Sequence, residues 1–230
     1  MLRFERVVLA QDGFRLSADW ELPAGGRVAV IGPSGAGKST LLSAVAGFLA
    51  PQSGRILWQG QDLAALDPGA RPVTILFQDQ NLFPHLTLAQ NLGLGLRPDL
   101  RLSPPQQAQI GAVLDRVGLP GLAARKPAQL SGGQIGRAAL ARALLRARPV
   151  LLLDEPFAAL GPALKAEMLG LVEEVAAETG ALVMMVTHDP ADARAFAALT
   201  VLVADGIAAP PAPTAALFAD PPPALRRYLG

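Results

Sequence analysis

The chain has 230 residues, 51% hydrophobic and 17% charged, which supplies a sizeable core and excludes wholesale disorder. Twenty Lys plus Arg face 19 Asp plus Glu, a net charge of +1, which argues against a nucleic-acid partner held on a basic face. There is no cysteine, so disulfides, Cys–zinc sites and thiol catalysis are excluded together.

The N-terminus reads as strands and turns. Arg3 to Ala10 alternates weakly, Gln11-Asp12-Gly13 turns, and Phe14 to Leu22 alternates again. Arg27 to Ile31 is a short apolar run, the mark of a buried strand, and a glycine-rich loop follows it. A helix is expected from about Lys38 to Leu49, then a strand over Arg55 to Trp58 and a buried strand over Pro72 to Phe77. From Pro84 to Arg148 helical segments separated by Pro and Gly take over. Strand character returns at Val150 to Leu153 and at Ala181 to Val186, with a helix between them from Pro162 to Glu178. A helix from Asp189 to Leu199 and a last strand from Thr200 to Ala204 precede a Pro-dense tail, read as irregular or short-helical. Alternating strands and helices predict an α/β fold with a mostly parallel sheet, an antiparallel β region at the N-terminus and an inserted helical block. The expected division is a core of residues 1–82 and 150–207, a helical subdomain of 83–149 and a tail of 208–230. No span of about 20 apolar residues is present and the N-terminus has no secretory h-region, so a soluble chain is expected, which leaves docking on something membrane-embedded open.

The sharpest motif is Gly32-Pro33-Ser34-Gly35-Ala36-Gly37-Lys38-Ser39, with Thr40 behind it. It fits G-x-x-x-x-G-K-[ST] between a buried strand and a helix. Phosphate oxygens need many N–H donors in a small concave space; glycines let the backbone wrap, and a helix N-terminus adds unpaired donors. Lys38 is expected on the β and γ phosphates and Ser39 on Mg²⁺. Only three of the basic residues are lysines (Lys38, Lys126 and Lys165), so a compact ammonium at Lys38 stands out in an arginine-rich chain.

A second apolar strand ends in Asp154-Glu155, where open α/β sheets place ligands. Asp154 is expected to hold Mg²⁺ through water, and Glu155 to act as the general base on the attacking water. Gln78 and His188 each follow an apolar strand end. Gln78 can reach the metal or the water, and His188 the γ phosphate; the bland alternatives are a surface Gln and a capping His. Ser131-Gly132-Gly133-Gln134 opens an Arg- and Ala-rich helix and reads either as an ordinary helix cap or as a second anion-binding end for a nucleotide held by another copy.

Taken together these motifs resemble the ATPase subunits of ABC transporters. Walker A is 32–39, the Q-loop Gln78, the signature LSGGQ 130–134, Walker B 151–155 and the H-loop His188. The resemblance covers about residues 1–207. It implies a P-loop NTPase core that binds ATP with Mg²⁺, and a head-to-tail homodimer in which each signature closes on the other copy's γ phosphate. Two transmembrane permease subunits, touched by residues 81–91, and a periplasmic solute-binding protein are the further implied partners, at the cytoplasmic face of a bacterial inner membrane. The segments GFLAPQSGRI, FQDQNLFPHLTLAQNLGLGL and LLLDEPFAALGPAL look most like the ATPases of thiamine importers. Importers of ferric iron, a polyamine or an oxyanion, and a non-transport ABC protein, stay open beside it. Three positions depart from the family pattern: Gly161 stands for an Asp, Ile135-Gly136 for Arg-Gln, and Gln11 for an adenine-stacking aromatic that Phe14 or Phe4 could replace.

Overall fold

Strand alternation builds the N-terminal edge of the molecule. The structure is a computed structural model and describes residues 1–11, 13–77, 82–158 and 160–229. β1 (Leu2–Gln11) turns Leu2, Phe4, Val7 and Leu9 inward, and β2 (Phe14–Leu22) answers with Leu16, Ala18, Trp20 and Leu22. The inward step slips between Phe4 and Val7, where the register shifts and Arg6 takes a positive φ of 47°. After β3 (Gly26–Ile31) and α1 (Lys38–Ala46), the chain returns to this edge as β4 (Ser53–Trp58) and β5 (Gln61–Asp62), both antiparallel to their neighbours.

The second half of the sheet is parallel. β6 (Val73–Leu76) is followed by three helices, α2 (Leu88–Leu96), α3 (Pro104–Arg116) and α4 (Gly132–Leu145). Then come β7 (Val150–Asp154), α5 (Pro162–Thr179), β8 (Leu182–Val186), α6 (Pro190–Phe196) and β9 (Leu199–Ala204). The spatial order β9-β3-β8-β7-β6 is parallel throughout. Such strands are covered on both faces, and their near-continuous apolar runs have that cause. Val28 and Val30 of β3 pack with α1 and the N-terminal strands, while Ala29 and Ile31 pack with the helices that follow β6. The period of two thus divides one sheet between two cores.

The expected fold class is the one observed, and local boundaries moved. α1 stops at Ala46 because Gly47 adopts φ 94°, and Arg71 donates to the Ala44 and Val45 carbonyls at 2.9 Å each, satisfying that helix end. α6 ends at Phe196 instead of running to Leu199, since the chain must enter β9 at once. Thr200 to Ala204 is not the last strand. The tail adds β10 (Ile207–Ala208), β11 (Ala212–Pro213), α7 (Thr214–Ala219) and α8 (Pro223–Leu229). β10 joins the two halves by pairing with both β2 and β9. Two-residue strands carry no periodicity, which is why the sequence hides them.

Candidate active site

The loop after β3 is shaped by glycines that no other residue could replace. A Cβ on Gly32, at φ 149°, would lie 1.9 Å from the Val203 carbonyl oxygen of β9. One on Gly37, at φ 100°, would lie 2.3 Å from the ring of Phe14. Gly37 is also the N-cap of α1 and offers no side-chain acceptor, and no acid stands in the first turn. The orphan N–H groups there remain for a ligand, whereas α2 and α4 each satisfy their N-cap and N3 N–H groups with a capping box.

A cavity of about 470 Å³ lies on this loop, lined by Gln11, Phe14, Ser34, Gly35, Gly37, Lys38, Ser39, Thr40 and Glu155. Lys38 is 7% exposed, and its Nζ donates to the Gly32 and Pro33 carbonyls at 2.9 Å each. An ammonium has three donors, so one is left for a ligand oxygen. Burial pulls the Lys38 ammonium below its ordinary range, opposed by the carboxylates of Glu155 and Asp154.

Opposite the loop, β7 delivers the two acids. Asp154 Oδ1 accepts from Ser39 Oγ at 3.0 Å. Burial raises the Asp154 carboxyl above its usual range; the Ser39 bond opposes this, Glu155 adds to it and Lys38 opposes it. Glu155 is held at φ 45°, left-handed for a non-glycine residue, and its N–H bonds the Val186 carbonyl at 3.1 Å. Its Oε2 meets His188 Nδ1 at 3.1 Å, joining the ends of β7 and β8.

The turn bearing His188 is tied on both flanks. Thr187 Oγ1 donates to Asp192 Oδ2 at 2.9 Å, and Asp189 caps α6 by accepting from the Ala191 N–H. Lys165 reaches both acids, at 3.1 Å to Asp189 and 2.7 Å to Asp192. Its rarity marked it in the sequence, but its role there was not legible.

The structure therefore gathers Lys38, Ser39, Thr40, Asp154, Glu155 and His188 at one end of the parallel sheet. Pro33 and Ala36 belong to the same loop, where the Ala36 N–H bonds the Pro33 carbonyl at 3.2 Å. Ser131, Gly132, Gly133 and Gln134 do not line the cavity of their own chain. They open α4, where Ser131 Oγ accepts from the Gln134 N–H at 3.3 Å and Gln134 Oε1 accepts from the Ser131 N–H at 2.9 Å. Gln78 lies outside the described residues. Phe4 cannot stack on a ligand, being fully buried with its ring 4.3 Å from that of Trp20; Phe14 is the aromatic at the cavity.

A family profile described as ABC transporter matches residues 17–158, more than half of the chain. The chain belongs to the ABC transporter ATP-binding family. This ABC cassette is 70% identical over its whole length, and the whole of the relative, to the thiamine import ATP-binding protein ThiQ of Cereibacter sphaeroides. It is 58% identical, again end to end, to the protein of that name from Ruegeria sp. strain TM1040. Among solved structures, the cassette resembles the ATP-binding cassette MJ0796 in a dimeric post-hydrolysis state bound to ADP and Pi. The TM-score there is 0.82 at 29% identity, over 93% of this chain and 99% of that one. Among the described residues, no helix is long and apolar enough to cross a membrane.

Proposed function

We propose that the chain is the ATP-hydrolysing subunit of a thiamine importer, working as a head-to-tail pair beneath two permease subunits on the cytoplasmic face of an inner membrane. The observation that carries the chemistry is Glu155, paired with His188 at 3.1 Å and lining the cavity together with Lys38 and the uncapped start of α1. The solute follows from the relatives named as thiamine import proteins, the first of them 70% identical over full length.

ATP is the substrate. Its phosphates lie on the N–H groups of residues 35–40, and Lys38 gives its remaining donor to a phosphate oxygen. Ser39 and Asp154 set two hard oxygens 3.0 Å apart, a fit for Mg²⁺ that Ser39 would hold directly and Asp154 through water. Among the described residues, no cluster of three or more His, Cys, Asp or Glu could hold a metal alone, and phosphate oxygens and water would complete its shell. Mg²⁺ supplies charge neutralisation at the phosphates when bound. Glu155 uses Oε2 to hold His188 and keeps Oε1 to orient the attacking water and take its proton. The signature of the second copy, Ser131 to Gln134, brings the Gly132 and Gly133 N–H groups, which the capping box of α4 does not use, onto the γ phosphate from outside.

A permease docks beside this machinery. A cleft of about 310 Å³ is rimmed by Phe48, Phe77, Phe83, Arg142 and Arg146, with Phe48 and Phe83 well exposed. Exposed aromatics in a concave site favour burial by a partner. Asn91 serves this cleft indirectly. It is fully buried and bonds Phe83 through both its N–H and its carbonyl, so it shapes the loop and does not touch a partner itself.

The test is ATP hydrolysis by the chain co-purified with its permease in lipid, with the solute-binding protein added. Thiamine-loaded binding protein is expected to raise the rate several-fold, and Lys38→Ala to abolish it. Stimulation by an iron-, polyamine- or oxyanion-loaded protein instead would overturn the solute while leaving the ATPase standing.

A further inference from the structure

The chain's single tyrosine reaches the catalytic cluster from the far end of the sequence. α8 is docked by Leu225, which has no exposed surface, and by Arg227, whose guanidinium meets Asp205 at 2.8 Å. From this helix Tyr228 donates its hydroxyl to the backbone carbonyl of His188, forty residues earlier. The same His188 touches Glu155 with its ring. Its backbone and its imidazole are thus held by different partners, and the two bonds form one chain from the C-terminal helix to the carboxylate.

This link has work to do because the His188 side chain is 61% exposed. An exposed imidazole on a turn has rotamers to lose, and a misplacement of about 1 Å is costly at a reacting centre. Lys165 fixes the turn on the α5 side; Tyr228 fixes it on the other, at the carbonyl of the residue itself. Burial, with Glu155 and Asp189 nearby, pushes the Tyr228 hydroxyl up from its ordinary value, so it stays a donor at neutral pH.

We propose that Tyr228 is a positioning residue for ATP hydrolysis: by holding the His188 carbonyl it sets the imidazole against Glu155, so the C-terminal helix helps to fix the geometry of the general base. This rests on the roles given above to Glu155 and His188. Tyr228 itself touches neither nucleotide nor water.

The probe is Tyr228→Phe in the full chain, which keeps the ring and the Leu225 anchor and removes one hydroxyl. The chain has two histidines, so the His188 ring signals can be followed by NMR, assigned with His188→Ala and referenced to His85. In Tyr228→Phe the His188 ring signals are expected to move while those of His85 stay. In the permease complex, kcat falls about 3- to 10-fold, the scale of one hydrogen bond, with KM for ATP nearly unchanged. In a His188→Ala background the further loss vanishes. Unmoved His188 signals, or an equal loss of kcat in both backgrounds, would overturn the positioning role. Full activity of His188→Ala would instead sink the role of His188, and moving signals in Tyr228→Phe would still report the brace.

Discussion

At the scale of single residues, the site is built from groups held where they are unfavourable. Glu155 sits at a φ that costs of order 1 kcal/mol for a non-glycine residue. Asp154 is a carboxylate partly removed from water. Its folded-state pKa lies above the unfolded value of 3.8, so across that window the native chain keeps a proton that the unfolded chain has released. Stability from this group is therefore present below the window and lost as pH rises through it. Asp154→Asn, without nucleotide, is expected to melt at higher temperature than the parent, by a margin that grows as pH rises through the window and then levels off. Melting curves across mildly acidic to neutral pH check this; a flat or inverted margin contradicts it. The residue motifs 32–39 and 154–155 were legible in the sequence because each phosphate-binding part has a fixed local spacing. The Lys165 bridges and the Tyr228 bond were not, because they join distant segments through side chains alone.

At the scale of elements, helix starts differ in how their N–H groups are closed. α1 has no side-chain cap, and α2 and α4 each carry a capping box that takes the N-cap and N3 N–H groups. α5 is a third case: its N-cap is Gly161, with φ −66° and ψ 157°, no side-chain bond, and nothing within 4 Å of a built Cβ. That backbone suits a capping side chain. Gly161→Asp is expected to stabilise the chain by about 0.3–1 kcal/mol through a cap and the helix dipole, read as a higher denaturant midpoint at unchanged slope. A lower midpoint would show that the glycine is needed for close approach or backbone freedom. Buried strands such as β3, β7 and β8 were legible from their unbroken apolar runs. β5, β10 and β11 were not, being two residues long and fixed only by their neighbours in the sheet.

At the scale of the molecule, the proposed function gives one chain half of each working site. The cavity over the loop is open and is not lined by Ser131 to Gln134, which open α4 and which the proposed function assigns to another copy. Both motifs were legible in the sequence, and the fold leaves Ser131 to Gln134 outside the lining of their own chain's loop cavity. The central claim is that Glu155 acts on a nucleotide bound over Lys38, and the most direct measurement is MgATP binding and steady-state hydrolysis side by side for Glu155→Gln in the permease complex. The account predicts binding retained within a few-fold, a closed pair that persists, and hydrolysis reduced by at least about a hundredfold. Hydrolysis at the parent rate in that variant would contradict it.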